Sequence, residues 1–554
     1  MSNFYRSGII VDIVNRKKFP GTIQVEEGKI VSIKEDSTIR VNSYIMPGFI
    51  DSHIHIESSM LIPSEFARLA SVHGTVATVS DPHEIGNVLG VEGIRYMIQN
   101  GNQVPFHFYF GASSCVPATP FETAGAVISP KDIESLFRND NLKYLSEMMN
   151  YPGVLNQDPI VMEKIRIAKS LDKPIDGHAP GLRGNDAERY ISAGISTDHE
   201  CFTFDEAFDK AKWGMHILIR EGSAAKNYEA LHPLFEVCPE MLMFCSDDKH
   251  PHELVEGHIN QLVKRSVVDK GYKLMDVLRA ASMNPVIHYG LDVGLLQPND
   301  PADFIIVDNL TDFNVVETYI KGILIAENGK SLIPRIAATT PNKFAASPKM
   351  NKDFIVQAQS SEGKIRVIVA EEGQLTTSSL VAAPKVFEGN AVSDVNRDIL
   401  KIAVVNRYEN KAPAIAFIHN FGLKTGAIAS CVAHDSHNII AVGCTDEDIC
   451  AAVNLLIRNK GGISVVDGQE EHVLPLPVAG IMSNEDGYMI ARKYAEMDAR
   501  AKQLGTQLYA PFMTLSFMAL LVIPELKLSD KGLFDGKKFA LISLESMDER
   551  LRER

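Results

Sequence analysis

A repeated alternation of short apolar runs and helix-like stretches limits the folds open to this chain more than any other feature of its sequence. These apolar runs include 75–81, 106–110, 174–178 and 241–247, and all of these except 106–110 end in a polar residue. Repeated strand–helix units favour a parallel sheet, and roughly 250 residues of them favour a closed (β/α)8 barrel. Chemistry in such barrels lies at the carboxyl ends of the strands. We therefore expect the functional site among the polar residues that end the apolar runs.

The segments on either side of this alternation predict further domains. Residues 1–50 and 300–335 are rich in β-forming residues and should together form one small β-sandwich domain, into which an α/β barrel of residues 51–299 is inserted. Residues 336–354 have the proline-containing composition of a linker. Residues 355–554 are predicted to form a C-terminal α+β domain. Within it, the apolar run 512–523 is too short to cross a bilayer and is interpreted as a buried core element.

Composition excludes several classes of partner. The 554 residues carry a formal net charge of -15 without a block of basic residues, which argues against nucleic acid and anionic membranes. The seven cysteines include no Cys-x-x-Cys pair, so we expect no disulfide framework and a reducing, cytoplasmic location. Residues 1–18 lack the pattern of a signal peptide. A homo-oligomer, dimer or higher, is the default expectation for assembly.

Two histidines, His53 and His55, close an apolar run that follows Pro47 and Gly48. Residues i and i+2 of a strand point to the same face, so both imidazoles can reach one metal ion. The alternative is a pair of polar residues that merely lies near a strand end. Further polar residues fall at the ends of other predicted strands, at Glu147, His178, His199 and Asp247.

The order of these residues resembles the amidohydrolase superfamily, whose barrels hold one or two metals that activate water. Residues 274–285 resemble the last barrel helix of that superfamily, and residues 294–304 resemble its return to the β-domain. The resemblance implies a binuclear centre with the following ligands: His53, His55, Glu147, His178, His199 and Asp247. Glu147 would take the place of the bridging carbamylated lysine of more familiar members. Asp247 would bind one metal and relay the proton of the nucleophile to the leaving group.

Less common segments narrow the resemblance to the adenine deaminase family. They are 53–59, 80–87, 146–154, 177–182 and 433–438. The family resemblance implies hydrolytic deamination of adenine to hypoxanthine and ammonia by a metal-bridging hydroxide, in purine salvage. It implies adenine and water as small-molecule partners and two manganese or iron(II) ions per active site. Zinc accepts the same histidine and carboxylate ligands.

Several polar residues near these ligands have two possible roles. Glu57 or Glu200 would contact a nitrogen of the purine ring, or else orient a liganding histidine. Asp81, His83 and Glu84 are candidates for binding substrate or a further metal, or else form a solvated loop with a helix cap.

The remaining open assignments concern two aspartates and two histidines. Asp247 rather than its neighbour Asp248 is taken as the ligand, because it falls where related barrels place their strand-end aspartate. His434 and His437 could face the mouth of the barrel, but for them and for the C-terminal domain a purely structural role is favoured.

Three other functions share features with this sequence. Another binuclear amidohydrolase, acting on a cyclic amide or an N-acyl group, would share the metals, although the 80–87 segment and the C-terminal domain weigh against it. A cytidine-type deaminase is excluded, because no Pro-Cys-x-x-Cys follows the His55-Ile56-Glu57 segment. A non-catalytic scaffold predicts gaps in the ligand set, and the sequence has none.

Overall fold

The computed structural model describes residues 3–358 and 363–546, so the outer ends of the predicted flanking domains, 1–2 and 547–554, lie outside the described residues. Between residues 49 and 245, parallel strands follow one another around a barrel. In chain order these barrel strands are Phe49–Ile54, Thr75–Ser80, His107–Phe110, Leu145–Met148, Ile175–Gly177, Thr197–Asp198, His216–Arg220 and Leu242–Cys245. The predicted α/β barrel is therefore confirmed.

Helices and short turns connect the barrel strands. Two of the longer helices, Pro130–Asn139 and Pro159–Ser170, begin with a proline after a capping residue. Ser129 and Asp158 accept hydrogen bonds from backbone N–H groups of the first turn. The barrel helices are Pro63–Ala70, His83–Leu89, Val91–Gly101, Pro130–Asn139, Tyr151–Leu155, Pro159–Ser170, Gly184–Ser192, Phe204–Lys212, Tyr228–Leu231, Pro251–Glu256, Ile259–Lys264, Leu274–Leu278 and Asn284–Tyr289.

The barrel closes where its first strand meets its last. The Asp247 N–H donates to the carbonyl of His53 at 2.9 Å, and the His55 N–H donates to the carbonyl of Asp247 at 3.2 Å. The buried carboxylate of Asp51 accepts from the Ser246 N–H at 3.0 Å and lies 2.8 Å from Nε2 of His258. These bonds bring the ends of the first and eighth strands together, although they are almost 200 residues apart in sequence.

One eight-stranded sheet joins residues from both sides of the barrel and buries a core of its own. Its strands are Phe4–Asp12, Lys17–Glu26, Lys29–Glu35, Tyr44–Pro47, Phe304–Val307, Val315–Ile320, Ile323–Glu327 and Lys330–Ser331. Tyr44–Pro47 pairs antiparallel with Phe304–Val307, so the chain leaves this sheet for the barrel and returns to it next to the point of departure.

The C-terminal domain is built on a second eight-stranded sheet. The strands of this sheet are Ile365–Ala370, Thr377–Ala382, Ile399–Val405, Ala414–His419, Ala427–Ser430, Ile439–Gly443, Ile463–Asp467 and Glu470–Leu474. Helix Asp446–Asn459, which the Thr445 side chain caps, packs on one face. Helices Gly487–Gln503 and Pro511–Phe517 belong to the core shared with the barrel.

The predicted buried element at 512–523 is confirmed, since almost all of its side chains are buried. Helix Gly487–Gln503 packs against barrel helix Pro251–Glu256, so the C-terminal domain lies directly on the barrel. Among the described residues, none of the helices has the length and apolar composition needed to cross a bilayer.

Candidate metal centre and its cavity

His53 and His55 end the first barrel strand with both rings buried and directed to one point. Their Nε2 atoms are 3.2 Å apart. The Nδ1 atom of His55 lies 3.1 Å from the backbone carbonyl of Asp81, an acceptor that requires the ring proton on Nδ1. This contact fixes the ring orientation and leaves the Nε2 lone pair of His55 free for a ligand.

Glu147, at the end of the fourth strand, lies between two groups of histidines. Its Oε1 atom is 3.3 Å from Nε2 of His55, whereas its Oε2 atom is 2.7 Å from Nδ1 of His178 and 3.3 Å from Nε2 of His199. Burial raises the pKa of Glu147, but His178 and the other histidines hold that pKa well below its usual range. A carboxylate whose two oxygens face different histidines has the arrangement of a bridging ligand.

Asp247 faces this cluster and Asp248 does not share its contacts. Oδ1 of Asp247 is 3.2 Å from Nε2 of His55 and 3.8 Å from Nε2 of His53. Asp248 instead accepts a hydrogen bond from the Ser58 hydroxyl at 2.5 Å. Of the two neighbouring aspartates, Asp247 therefore has the geometry of a ligand.

Arg220 is a site residue that the sequence reasoning missed. Its guanidinium donates to Oδ2 of Asp247 at 2.6 Å and to Oε2 of Glu200 at 3.2 Å, with the side chain fully buried. Although burial raises the pKa of Asp247, Arg220 and the histidines lower it well below its usual range. The available signal was a basic residue at the end of the apolar strand His216–Arg220, the position where barrel chemistry is expected.

The two predicted catalytic glutamates occupy different places. Glu200 lines the cavity above the histidines. Glu57 does not line it; its Oε1 atom accepts from the Ile85 N–H at 3.2 Å, and burial raises the pKa of its carboxyl to about 7.

Asp81, His83 and Glu84 also differ in their positions relative to the cavity. Asp81 lies beside His83, with its Oδ2 atom 3.0 Å from Nδ1 of His83, and orients that ring. His83 and Glu84 line the cavity, and Glu84 contacts both His434 and His437 of the C-terminal domain.

The donor atoms fit divalent metal ions. Several groups of side chains have ligand atoms within 4.8 Å of one another, among them His53–His55–Asp247, His53–Glu147–His199, His55–Asp81–His83–Glu147, His178–His199–Glu200 and His83–Glu84–Asp435. Neutral imidazoles and carboxylates suit zinc, iron and manganese. The Nε2 atom of His178 has no partner although it is buried, while its Nδ1 atom faces Glu147, so this ring presents one nitrogen to the cluster.

A narrow cavity separates the cluster from the C-terminal domain. We call the barrel side of this cavity the floor and the opposite side the roof. The floor is lined by His55, His83, Glu84, Glu147, Met149, His178, His199, Glu200, Asp247 and Asp248, and the roof by Leu375, His434, Asp435, Phe517 and Leu520. The cavity measures about 20 Å³, the space of about one water molecule. A ring-shaped ligand therefore enters only when roof and floor separate. The sequence favoured a purely structural role for His434, whereas the structure places it on the cavity wall.

Such a cluster at the strand ends of a closed barrel is the site of a metal-dependent amidohydrolase, and residues 44–325 match the amidohydrolase family. Residues 374–540 match the adenine deaminase C-terminal domain. The chain belongs to the adenine deaminase family.

Three curated relatives show how far the similarity extends. The adenine deaminase of Sulfurovum sp. (strain NBC37-1) is 56% identical over 533 residues, which is 96% of this chain and 98% of that protein. The adenine deaminase of Salinibacter ruber is 53% identical, covering 98% of this chain and 99% of that protein. The adenine deaminase of Methanosarcina barkeri is also 53% identical, covering 97% and 98%. The similarity thus includes the barrel and the roof alike.

Proposed function

We propose that this protein catalyses the hydrolytic deamination of adenine to hypoxanthine and ammonia, a reaction of purine salvage, in the cavity between floor and roof. The observation that carries the proposal is that one cavity joins the amidohydrolase ligand cluster to a domain that matches adenine deaminases. The alternative function, hydrolysis of cyclic amides or N-acyl groups, would leave the match to the adenine deaminase C-terminal domain unexplained.

The chain's own residues would hold two divalent cations, manganese or iron(II), with zinc as a further candidate. His53, His55 and Asp247 would hold one, His178 and His199 the other, and Glu147 would lie between them. When bound, cations of this kind polarise water and make it a nucleophile near neutral pH.

Asp247 is the group that we assign to proton transfer. Its carboxylate can accept a proton from water on the floor and deliver it to the departing amino nitrogen. Arg220 acts on Asp247 as a positioning residue, because its guanidinium contacts Oδ2 and leaves Oδ1 directed at the histidines. The same guanidinium contacts Glu200, so the two carboxylates are held at a fixed separation.

Glu200 is the better placed of the two glutamates to contact the purine. It lines the cavity, and its Oε1 atom is 3.4 Å from Nε2 of His199. A carboxyl group there can exchange a hydrogen bond with a ring nitrogen next to the reacting carbon. Glu57, behind the helix that begins at His83, would support this site indirectly by accepting from the Ile85 N–H.

The proposed setting of the reaction is the cytoplasm, in a homo-oligomer. The seven cysteines are all free in the structure, as expected in a reducing compartment. The net charge of -15 fits a small-molecule substrate rather than nucleic acid as partner. Light scattering of the purified protein measures the number of subunits.

The test follows the ultraviolet absorbance of adenine with protein purified in excess manganese, with ammonia and bound metal assayed in parallel. We expect conversion to hypoxanthine by the wild type and a loss of about 10²–10⁴-fold in kcat for Asp247→Asn. Asp292→Asn, an exposed aspartate outside the cavity, is the matched control and should retain full activity. A protein that holds two metals and leaves adenine unchanged would favour the cyclic-amide or N-acyl alternative.

A further inference from the structure

The roof contains a pair of buried polar atoms that have no partner within the protein. Oδ2 of Asp435 and Nε2 of His434 both lack a hydrogen-bond partner, and both residues line the cavity opposite the metal ligands. His434 and Asp435 are only 2% and 3% exposed. A buried polar group without a partner costs about 1–3 kcal/mol, so such groups are normally satisfied by a ligand or by water.

Contacts with the floor hold this pair in place. Nδ1 of His434 donates to the Glu84 carboxylate, which can only accept, and the His434 ring stacks on Phe517 with ring centroids 5.1 Å apart. In this closed arrangement the other ring nitrogen of His434 is directed into the cavity, where Oδ1 of Asp248 is 4.0 Å away. The roof moves away from Asp248 when a ring-shaped ligand enters.

A metal ion held by the two roof-domain histidines, His434 and His437, does not explain the pair. Nδ1 of His437 lies 3.3 Å from the backbone N–H of Ala433 and must accept from it, so the His437 proton is on Nε2. That Nε2–H donates to Glu84, and the nitrogen has no lone pair left for a cation. The contacts of Glu84 with the two histidines are therefore hydrogen bonds that attach the roof to the floor.

The chemistry of a free purine base matches the pair. When the carbon that bears the amino group faces Asp247, the opposite edge of the ring faces the roof, and this edge carries the N3 lone pair next to the N9–H. The carboxylate of Asp435 is an acceptor for N9–H. Burial lowers the pKa of His434, but Glu84, Asp248 and Asp435 raise it to about 9, so Nε2 carries a proton at neutral pH and donates to N3.

We propose that His434 and Asp435 of the C-terminal domain bind the N3 and N9–H edge of the purine and thereby make the enzyme specific for the free base. This inference rests on the proposed function. It assigns specificity to the roof and chemistry to the floor. A nucleoside lacks the N9–H, leaves Asp435 without a partner, and brings its sugar against Phe517 and Leu520.

The test measures inhibition constants of two adenine analogues, against hypoxanthine formation from adenine. 9-Methyladenine lacks the N9–H, and 3-deazaadenine lacks the N3 lone pair. We expect wild-type protein to bind each analogue about 10–100-fold more weakly than adenine, the loss produced when a buried polar group is left unpaired.

Two variants separate the two contacts. Asp435→Leu, which is of similar size but has no acceptor for N9–H, should reduce the discrimination against 9-methyladenine to less than about 3-fold while retaining that against 3-deazaadenine. His434→Asn places an amide N–H where Nδ1 donated to Glu84, so the roof stays attached; it should lose only the discrimination against 3-deazaadenine. Asp467→Asn, on the exposed surface of the same domain, is the control and should retain both.

The outcomes distinguish this inference from the proposed function. Wild-type protein that deaminates adenine and binds both analogues as tightly as adenine would overturn the inference alone, with no variant needed. The same holds if Asp435→Leu retains the full penalty for 9-methyladenine, because that penalty would then be steric. Wild-type protein that binds two metals without deaminating adenine would overturn the proposed function itself.

Discussion

The floor and the roof of the cavity are built in different ways. The floor residues follow regular barrel strands, and each is oriented by a partner, such as the Asp81 carbonyl for His55 or Arg220 for Asp247. The roof residues lie on loops and on a short helix of another domain and are attached to the floor through Glu84. Rigid strand ends suit reacting groups, which need fixed geometry, whereas an added domain can set specificity without disturbing them.

The largest expected effect comes from removing charge at the centre of the floor. Glu147→Gln keeps the shape of the side chain but loses the negative charge that faces two groups of histidines. We expect bound metal to fall from about two to about one equivalent or fewer per chain, and kcat/KM to fall by about 10³-fold, since a metal centre supplies several kcal/mol of stabilisation. Elemental analysis and steady-state kinetics measure both.

Glu122→Gln is a matched control for this variant. Burial raises the pKa of Glu122 to about 8, so its carboxyl is mostly neutral at pH 7 and the amide replaces it with little change in charge. It should keep about two metals. Equal metal loss in both variants would contradict the central position given to Glu147.

An intermediate loss of activity is expected when a residue that orients a candidate ligand is substituted, rather than a ligand itself. Arg220→Lys retains a positive charge but cannot contact Asp247 and Glu200 with one planar fork. We expect kcat to fall by about 10–100-fold with KM changed less and with metal content unchanged, the size of effect typical of residues that orient metal ligands. Arg265→Lys, a partly exposed arginine, should leave kcat unchanged. A loss of metal in Arg220→Lys would instead make Arg220 part of the assembly of the centre.

The smallest expected effect concerns how the roof is supported. Lys527 is fully buried, and its ammonium donates to the carbonyls of Leu375 at 2.6 Å and Phe517 at 2.9 Å, two roof residues. Burial lowers its pKa to about 7, whereas an unfolded lysine titrates near about 10.4. Between these values the unfolded state binds more protons, so the free energy of unfolding rises with pH from about 7 to 10.

Lys527→Met should therefore remove part of the increase in the free energy of unfolding between about pH 7 and pH 10. We expect the Tm of the wild type to gain on the order of 5 °C relative to the variant between pH 7 and pH 9, as followed by differential scanning fluorimetry. Lys531→Met, at an exposed lysine, should give a pH curve parallel to the wild type. If the curve of Tm against pH for Lys527→Met is also parallel to that of the wild type, the buried amine of Lys527 does not titrate between pH 7 and pH 9.

The barrel and most of the floor could be predicted from sequence, because the relevant signals are local. His53 lies on the first barrel strand and His55 directly follows it, and Glu147, His178 and Asp247 each end an apolar run. Strand periodicity places such residues at the carboxyl edge of a parallel barrel without knowledge of the tertiary structure.

The roof could not be predicted, because it depends on how two domains pack. His434 and its partner Glu84 are 350 residues apart in sequence. The run that contains Phe517 and Leu520 was correctly predicted to be buried, but apolar composition does not tell core from cavity wall. Arg220 was missed for another reason: an arginine that ends a strand is read as solvated until its two carboxylate partners are placed beside it.

The order in which the two sides of the cavity occur along the chain affects how metal can be acquired. All the candidate ligands precede residue 248, and every roof residue follows residue 374. Domains generally fold as units during synthesis, beginning from the N-terminus. The barrel can thus close at the strand that ends in Cys245 before the roof residues have been synthesised. The ligand cluster is then open to the surrounding solution. Metal loading during synthesis does not require passage through the 20 Å³ cavity of the finished protein, whereas exchange of metal afterwards does.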